Sequence, residues 1–502
     1  MSNIEQYRVF TKNLQHEEQR SQALNDIINL LNFTSPAEAA SVIQNVGISK
    51  ILQCINANNK THVELSCEVL KKCFEIIEPC DVARQYITYL MYLLRHEKVP
   101  VRQVAIEVVY KILMTNSSAL SVPEHIDIFV AVAQLVCDKD VAIANKAILI
   151  TSNLPENAYP KVLEEMQIAF NCNTSSKCNA FEIVVNISSK SPELFKLCTD
   201  QGYINFMVSE LESDDILYQM NILELLAQLA RKPYGMNYLV ENGSFKQMVQ
   251  HLQELRNNPL GGLLMTGYIK FFGTVTYQYS KEIINEYPLI VETLLEGFDS
   301  NDQTILPVVL DTFGIIGSTL EGKLCLAAFG SKFTQAVEKV GEMIKNSPTE
   351  IKVRALICFS HLISVEQDPE SKTKPIDHRV TLMTREWFRS LSKQPASIET
   401  LFGVCQNPFP DIRSSAFNLL DAVCQHKWGE DLVANCAGFI EFLLDRTLDY
   451  KKQLMELKYD IIKRLSNSTA FDANTLMRLQ TYVDQGPFYA ETTMQVAMEE
   501  GD

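Results

Sequence analysis

The feature that most constrains the fold is a glycine that recurs just before an apolar, helix-like stretch. It stands at Gly47, Gly202, Gly243, Gly330 and Gly438. At each position the glycine would close one helix in a left-handed conformation that residues with a Cβ avoid, and a new helix would begin directly after it. The step from Gly202 to Gly243 is about 40 residues and the next step about twice that, which is the period of armadillo and HEAT repeats.

A small residue within an apolar helix repeats at a similar interval. It is found at Ser66, Ala105, Ala147, Ala180, Ala355 and Ala416. Two independent features at a spacing of roughly 33 to 47 residues predict stacked helical units, because each unit covers its apolar face only by packing on its neighbours. Alternating strand patterns and Asn-Gly hairpin turns are almost absent. The predicted fold class is all-α, an α-solenoid of armadillo/HEAT-like helical repeats.

The domain organisation follows from where the repeat pattern starts and stops. Residues 1–33 are predicted to form an N-terminal helical cap, and residues 34–489 the solenoid, with about nine or ten units. The charged segment 365–380 contains two prolines and is predicted to be a surface loop within the array. Residues 490–502 follow Pro487 and are predicted to be a disordered acidic tail.

Composition and charge argue against several classes of function. The chain has 502 residues, of which 46% are hydrophobic and 21% charged, as in a folded protein. Its formal net charge of −16, without a basic stripe, argues against a nucleic-acid partner. The apolar run 126–137 is too short to cross a bilayer and contains Asp127, and the N-terminus has no apolar signal segment. We therefore expect a soluble protein of the cytoplasm or nucleus with no membrane partner, whose acidic surface keeps it soluble or meets a basic protein surface.

No set of residues in the sequence has the spacing of a metal site or a catalytic site. Most of the thirteen cysteines lie inside apolar helical runs, which is typical of buried free thiols in a reducing compartment. Cys172 and Cys178 lack the second tight ligand pair of a zinc site and are expected to be isolated core thiols. The histidines are scattered, and there is no nucleophile motif. We predict no catalytic residue, no metal and no cofactor.

The segment GSTLEGK at 317–323 matches the first seven positions of a phosphate-binding loop. A working loop needs a preceding strand, and a Ser or Thr after its lysine to ligate Mg²⁺. Here Leu324 follows Lys323, and the preceding segment is predicted to be a helix. We interpret the segment as a turn in which Gly317 and Gly322 shape the backbone, while Lys323 lies in solvent or caps carbonyls. A nucleotide-binding enzyme that uses this turn is the remote alternative.

A solenoid without catalytic groups offers a long concave surface, lined by one helix from each repeat, on which a partner's helix or small domain can bind. Aromatic and basic side chains are the best interface candidates, since such residues dominate binding hot spots. The candidates here are Lys270, Phe271, Trp387, Phe388, Phe409 and Arg413. Rings of this kind also fill repeat cores, so we expect a mixture in which one ring turns inward and its neighbour is partly exposed.

Long stretches of the second half resemble one known family. They are YIKFFG (268–273), LDTFGIIGSTLEGK (310–323), EWFRSLSKQP (386–395), NPFPDIRSSAFNLLDAV (407–423), GFIEFLLDRTLDY (438–450) and LQTYVDQGPFY (479–489). Looser, colinear similarity extends through the first half, as in SPELF at 191–195. The chain is similar throughout to the family of the 26S proteasome non-ATPase regulatory subunit 5, whose members are chaperones for assembly of the 19S regulatory particle base.

The resemblance implies particular partners and a steric mechanism. Members of that family bind the C-terminal domain of a base ATPase, regulatory subunit 7. They hold it in an intermediate with a neighbouring ATPase and non-ATPase regulatory subunit 2, and they are absent from the mature 26S proteasome. While bound, the solenoid would block premature docking of the ATPase on the 20S core.

The alternative is a generic armadillo-type protein-protein interaction scaffold or adaptor. An import receptor is the disfavoured version, because that class lines its groove with a Trp/Asn ladder and this chain has only Trp387 and Trp428.

Overall fold

The computed structural model describes residues 2–115, 120, 125–256, 261–300, 302–365, 377–393, 396–447 and 451–489. Every regular element within these ranges is a helix, so the predicted all-α class is confirmed. The chain divides into two compact units, Met1–Gly235 and Met236–Asp502.

The first unit contains helices that are mostly short and amphipathic. Among its described residues these are α1 (Asn3–Asn13), α2 (Arg20–Phe33), α3 (Pro36–Val46), α4 (Ser49–Cys54), α5 (Lys60–Ile76), α6 (Pro79–Gln85), α7 (Ile87–Leu94), α8 (Val99–Thr115), α9 (Ile126–Gln134), α10 (Val141–Thr151), α11 (Tyr159–Glu165), α12 (Gln167–Phe170), α13 (Thr174–Ser188), α14 (Pro192–Asp200), α15 (Tyr203–Ser209) and α16 (Ile216–Ala230). Short 3₁₀ segments cover Glu17–Gln19, Leu135–Cys137, Glu156–Ala158 and Glu210–Glu212.

Helix α17 (Pro233–Glu241) contains the boundary between the units. The described helices of the second unit then follow: α18 (Ser244–Arg256), α19 (Gly262–Gln278), α20 (Ser280–Glu286), α21 (Pro288–Glu296), α22 (Ile305–Ile316), α23 (Leu320–Ala327), α24 (Ser331–Asn346), α25 (Thr349–Ile363), α26 (His378–Arg389), α27 (Ser397–Cys405), α28 (Pro410–Cys424), α29 (Lys427–Ala434), α30 (Phe439–Leu444), α31 (Lys452–Leu465) and α32 (Ala473–Gln485). Gly297–Asp299 is a 3₁₀ segment.

One helix from each repeat packs against the equivalent helix of the next repeat, which is the arrangement of a solenoid. In the first unit this series is α2, α5, α8, α10, α13 and α16. In the second unit it is α19, α22, α25, α28 and α31. We call these the ladder helices, and their outward surface the ladder face. The solenoid prediction is therefore confirmed, and one side of each unit is built from one helix per repeat.

The recurring glycines have the backbone conformation that the sequence predicts. Gly47, Gly202, Gly243, Gly330 and Gly438 all have positive φ, between 56° and 82°. An added Cβ at any of them would meet no atom within 4 Å, so the need for glycine comes from the backbone conformation and not from lack of space. Glycine at these positions lets one helix end and the next start at once.

The predicted small residues are at close helix contacts. Ser66, Ala105, Ala147, Ala180, Ala355 and Ala416 are all completely buried. Gly314 of α22 lies close to the backbone of the next ladder helix, since an added Cβ would lie 2.9 Å from the Cα of Cys358 in α25. Helices that approach this closely exclude larger side chains, because the core is close-packed.

Ion pairs join consecutive repeats at a similar sequence spacing. Arg102 contacts Asp138 through Nε and Oδ2 at 2.6 Å, and both side chains are largely buried. Lys332 Nζ lies 3.1 Å from Glu292 Oε1 in a more exposed pair. The buried arginine pair contributes more to the stacking of repeats, because water and salt screen the exposed pair.

The predicted domain boundaries remain predictions. Helices α1 and α2 occupy the stretch predicted to form the N-terminal cap. Residues 366–376 of the predicted loop 365–380 lie outside the described residues, and α26 begins at His378. The predicted tail, 490–502, also lies outside them.

A substitution at Gly322 would test the packing between a ladder helix and the helix that follows it. Its added Cβ would lie 1.9 Å from the carbonyl oxygen of Ile316, and Gly235 and Gly429 make equivalent approaches of 2.3 and 2.0 Å. We expect Gly322→Ala to lower the free energy of unfolding by about 1–3 kcal/mol through steric strain. Thermal denaturation followed by circular dichroism measures the effect.

The matched control is Gly403→Ala, within α27, where an added Cβ would meet nothing within 4 Å. That change should be neutral or stabilise by up to about 1 kcal/mol, because alanine restricts the unfolded chain. An equal loss of stability in both variants would contradict the packing argument.

Candidate protein-interaction surface

Four backbone N–H groups of the turn at 317–323 already have hydrogen-bond partners. Gly317 donates to Phe313 O at 3.0 Å, Ser318 to Ile315 O at 3.2 Å, Gly322 to Thr319 Oγ at 3.0 Å and Lys323 to Thr319 O at 3.0 Å. Thr319 is the N-cap of α23, and a helix, not a strand, precedes the turn. A phosphate-binding loop works because its N–H groups converge on the ligand, and here four of the seven, including that of Lys323, already bond to protein oxygens.

Lys323 joins two repeats. The side chain is 1% exposed, and Nζ donates to Gly317 O at 2.5 Å and to His361 O at 3.0 Å. These carbonyls lie at the C-terminal ends of α22 and α25, which lack partners within their own helices. Of the two positions considered for Lys323, carbonyl capping is confirmed and solvent exposure is wrong. Gly317 caps α22 in a right-handed conformation, and Gly322 is needed for the close approach to Ile316.

A buried histidine makes the same kind of contact one repeat further along. Nε2 of His426, just after α28, lies 2.8 Å from the carbonyl oxygen of Ile363 at the end of α25. A carbonyl oxygen only accepts, so Nε2 carries the proton. Burial lowers the pKa of His426. Burial and then Lys323 lower the pKa of His361 as well. Both rings are therefore held toward the neutral form, and the helix ends form one connected polar cluster.

The ladder face of the first unit carries charges at equivalent positions of successive helices. Lys146 of α10 pairs with Glu107 of α8 at 3.2 Å and lies over the ring of Tyr110, 4.2 Å from its centroid. Glu182 of α13 has no ion-pair partner among the described residues. Burial, and then the neighbouring Glu224 of α16, raise the pKa of Glu182. Two carboxylates one repeat apart therefore lie near each other, and among the described residues neither forms an ion pair.

A polar groove lies beside these carboxylates, between α10 and α13. Its volume is about 610 Å³. The lining side chains include Asn145, Asn153, Glu182, Asn186 and Lys190. Asn186 Nδ2 donates to the hydroxyl of Ser152 at 3.2 Å, which fixes the orientation of its amide. Amides and carboxylates arranged in this way can bind the polar backbone or the basic side chains of a protein partner.

The ladder face of the second unit mixes charge with exposed aliphatic side chains. Asp311 of α22 and Arg354 of α25 form an ion pair, and Lys270 of α19 is exposed nearby. Burial raises the pKa of Asp311 although Arg354 and Lys270 act to lower it. Ile315 and Ile357 are 44% and 37% exposed on the same two helices. Apolar side chains bordered by charges are typical of a protein interface.

Two of the predicted interface rings are in the core. Phe271 and Phe388 are each 1% exposed. Phe271 packs against Phe272, with ring centroids 5.1 Å apart, and Phe388 packs against Trp428 at 5.4 Å. The aromatic ring of each therefore has almost no surface to offer a partner.

The other four candidates keep some exposed surface. Lys270 is exposed, and Phe409, the N-cap of α28, is 59% exposed. Trp387 is half-buried, with its ring 4.9 Å from that of Phe333. Arg413 is half-buried and donates from Nη1 to Asn407 O at 3.3 Å. The structure thus spreads these residues over α19, α26 and α28, and their role at an interface stays a prediction.

Sequence reasoning missed the Glu182 and Glu224 pair. The two glutamates are 42 residues apart, which is one repeat, so the repeat spacing could have indicated that they are neighbours. Glutamates are so common in this chain that the spacing by itself does not single out this pair.

The prediction that Cys172 and Cys178 are core thiols is wrong, since Cys172 is exposed and Cys178 half-buried. No group of three or more potential metal ligands occurs among the described residues. Within the same ranges no single helix is long and apolar enough to span a bilayer. One pair of consecutive helices, α22 and α23, has the required length and composition when both are counted together, but the chain bends by 115° between them.

The architecture and the ladder face define a helical-repeat protein of the α-solenoid class. Residues 4–502 match the profile of the family described as "Proteasome non-ATPase 26S subunit", and the chain belongs to that family. Relatives named 26S proteasome non-ATPase regulatory subunit 5 support this: the human protein is 26% identical over 489 residues, covering 95% of both chains, and the Drosophila melanogaster protein is 26% identical over 490 residues, covering 94% and 95%.

Solved structures with similar folds are also α-solenoids. The structure of Kap121p bound to Nup53p matches 95% of this chain and 50% of its own, with a TM-score of 0.64 and 10% identity. Yeast importin-β matches 93% of this chain and 68% of its own, with a TM-score of 0.54 and 11% identity. At such low identity these similarities support the fold alone.

Substitution of Lys323 distinguishes a capping role of this lysine from the nucleotide-binding alternative. We expect Lys323→Met to lower the free energy of unfolding by about 1–3 kcal/mol, because the carbonyl of Gly317 loses its lysine donor and that of His361 is left with the hydroxyl of Ser364. Thermal denaturation with and without excess Mg-ATP measures both properties. Mg-ATP should not change the melting temperature of the wild type.

The control is Lys281→Met on α20, where the lysine is exposed and the change should be within about 0.5 kcal/mol. A Mg-ATP-dependent stabilisation that disappears in Lys323→Met would contradict the capping role.

Proposed function

We propose that this protein is a chaperone for assembly of the 19S regulatory particle base. Its support is the family match across residues 4–502 together with relatives of the same length that are named regulatory subunit 5. The proposed client is the C-terminal domain of a base ATPase, regulatory subunit 7, held with a neighbouring ATPase and non-ATPase regulatory subunit 2. The role requires a binding surface and no catalytic group.

The ladder face is the proposed docking surface for the ATPase. In the second unit, Ile315 and Ile357 would supply the apolar contact, and Lys270 with the Asp311 and Arg354 pair would form its polar rim. Phe409 and Arg413 lie at the N-terminal end of α28 and would extend the contact along the same series of helices. An apolar centre within a charged rim excludes water and fixes the orientation of the partner.

The proposed consequence of docking is steric. A solenoid attached to the C-terminal domain of the ATPase would occupy space that the 20S core needs, so docking on the core would follow only after release. Absence from the mature 26S proteasome is part of the same proposal, because release and core binding exclude each other.

A general scaffold with a different partner is the second candidate. The unpaired carboxylates Glu182 and Glu224 favour a partner with a basic surface, which is not restricted to the proteasome. The two candidates differ in what the full-length chain binds.

Binding of purified, full-length protein to each base ATPase, measured by surface plasmon resonance, tests the proposal. We expect regulatory subunit 7 to bind and added 20S core to compete for the ATPase. Lys270→Glu should weaken binding about tenfold, equivalent to about 1.4 kcal/mol, by reversing a charge at the rim. Lys281→Glu, an exposed lysine on α20 outside the ladder face, should bind like the wild type.

Three results would contradict parts of the proposal. Equal affinity for all base ATPases, or none for any, would favour the general scaffold. Co-purification with assembled 26S proteasome would exclude a role confined to assembly. Equal effects of the Lys270 and Lys281 variants would place the contact away from the ladder face.

A further inference from the structure

Two consecutive aromatic side chains are exposed near the C-terminal end of the second unit. Phe488 and Tyr489 follow α32 and are 53% and 41% exposed. A cation lies near each ring: Lys452 Nζ is 6.0 Å from the centroid of Phe488, and Arg446 Cζ is 5.4 Å from that of Tyr489. We call these four residues, together with the exposed Lys451, the C-terminal patch. Neighbouring exposed aromatic rings are typical of an interaction site.

Arg446 holds the backbone of this segment in place. Its guanidinium donates from Nη1 to Gly486 O and from Nη2 to Tyr482 O, both at 3.0 Å. It also lies 3.6 Å from the centroid of the Tyr482 ring, which is buried. Tyr459 of α31 donates from its hydroxyl to Val483 O at 3.3 Å. The chain just before the two exposed rings is therefore fixed, so a partner would spend little entropy on ordering it.

The charge beside the two rings is positive. Lys451 and Lys452, at the start of α31, are both exposed. Glu456 Oε1 lies 3.8 Å from Lys452 Nζ, and because both side chains are largely in solvent, water and salt screen this pair. The Asp445 carboxylate accepts bonds from the backbone N–H and the hydroxyl of Thr447. The cations of the patch are thus available to carboxylates of another molecule.

We propose that the C-terminal patch binds an acidic segment of a protein partner. Carboxylates of that segment pair with Lys451 and Lys452, and an apolar side chain beside them packs on the ring of Phe488. The proposal is independent of the proposed chaperone function, because none of the residues assigned there to the ATPase contact belongs to the patch.

Charge selects an acidic protein segment over other occupants. A basic segment would meet like charges at both rings. A nucleic acid is anionic too, but its long row of phosphates would also face the rest of a protein whose net charge is −16. A short acidic segment meets the cations of the patch and little of the remaining surface.

The same chain also contains an acidic stretch that could compete for the patch. Residues 490–502 lie outside the described residues and contain four acidic side chains, Glu491, Glu499, Glu500 and Asp502. A segment tethered next to a binding site has a high effective concentration there. The test therefore includes this stretch.

Fluorescence anisotropy with the purified, full-length protein tests the proposal. The probe is a fluorescein-labelled synthetic peptide, EELFEELFEE, and its control has lysine in place of every glutamate. We expect the acidic peptide to bind and the lysine peptide to show no binding at the same concentrations. Raising the salt concentration from about 0.05 to about 0.5 M should weaken binding of the acidic peptide at least about fivefold, because salt screens its carboxylates.

Three variants separate the charged contact from the apolar one. Lys452→Glu should weaken binding of the acidic peptide about fivefold and reduce its salt dependence. Phe488→Ala should weaken binding by a similar factor and leave the salt dependence unchanged. Lys463→Glu, which changes an exposed lysine near the other end of α31, should bind like the wild type. Thermal denaturation followed by circular dichroism confirms that all three variants fold.

Several outcomes would overturn the proposal. No binding of the acidic peptide to the wild type would do so directly. Equal weakening by Lys452→Glu and Lys463→Glu would show that binding follows overall charge and not the patch.

A full-length variant in which Glu491, Glu499, Glu500 and Asp502 are replaced by the corresponding amides should bind the acidic peptide like the wild type. An affinity about fivefold higher in this variant would show that residues 490–502 fill the patch, and would overturn the assignment to a partner.

Discussion

Close contact between consecutive ladder helices is the constraint on which the rest of the structure depends. Several of these helices bury a small residue, such as Ala180 or Ala416, and an added Cβ on Gly314 would lie 2.9 Å from the backbone of α25. A larger side chain would push the repeats apart and open the core along the contact. The same contact aligns helix ends, so Lys323 and His426 can reach carbonyls of a neighbouring repeat.

The arrangement of charged side chains on the ladder face results from this stacking. Side chains one repeat apart become neighbours, which creates the Asp311 and Arg354 ion pair and brings the carboxylate of Glu182 near that of Glu224. Neither is a local motif. A helical-repeat protein builds its surface from residues about 40 positions apart, and the repeat register decides which charges meet.

The sequence predicted the repeats well because they depend on local rules. Positive φ at Gly202 and Gly438 follows from the need to end a helix abruptly, and complete burial of Ala105 follows from helical periodicity. Interface residues were harder to predict. Phe271 and Phe388 are of a residue type that is common in binding hot spots, but both fill the core. An aromatic ring suits either environment, and which one it occupies depends on the side of the helix from which it projects.

The sequence by itself determined the all-α repeat class, the positions of the glycine breaks and membership of the proteasome non-ATPase subunit family. These follow from local backbone chemistry and from the long matching stretches. The tertiary structure decided the role of Lys323, which caps two helix ends, and the proximity of Glu182 to Glu224 of the next repeat. Both depend on which residues the stacking of repeats brings together, and sequence spacing alone does not measure that distance.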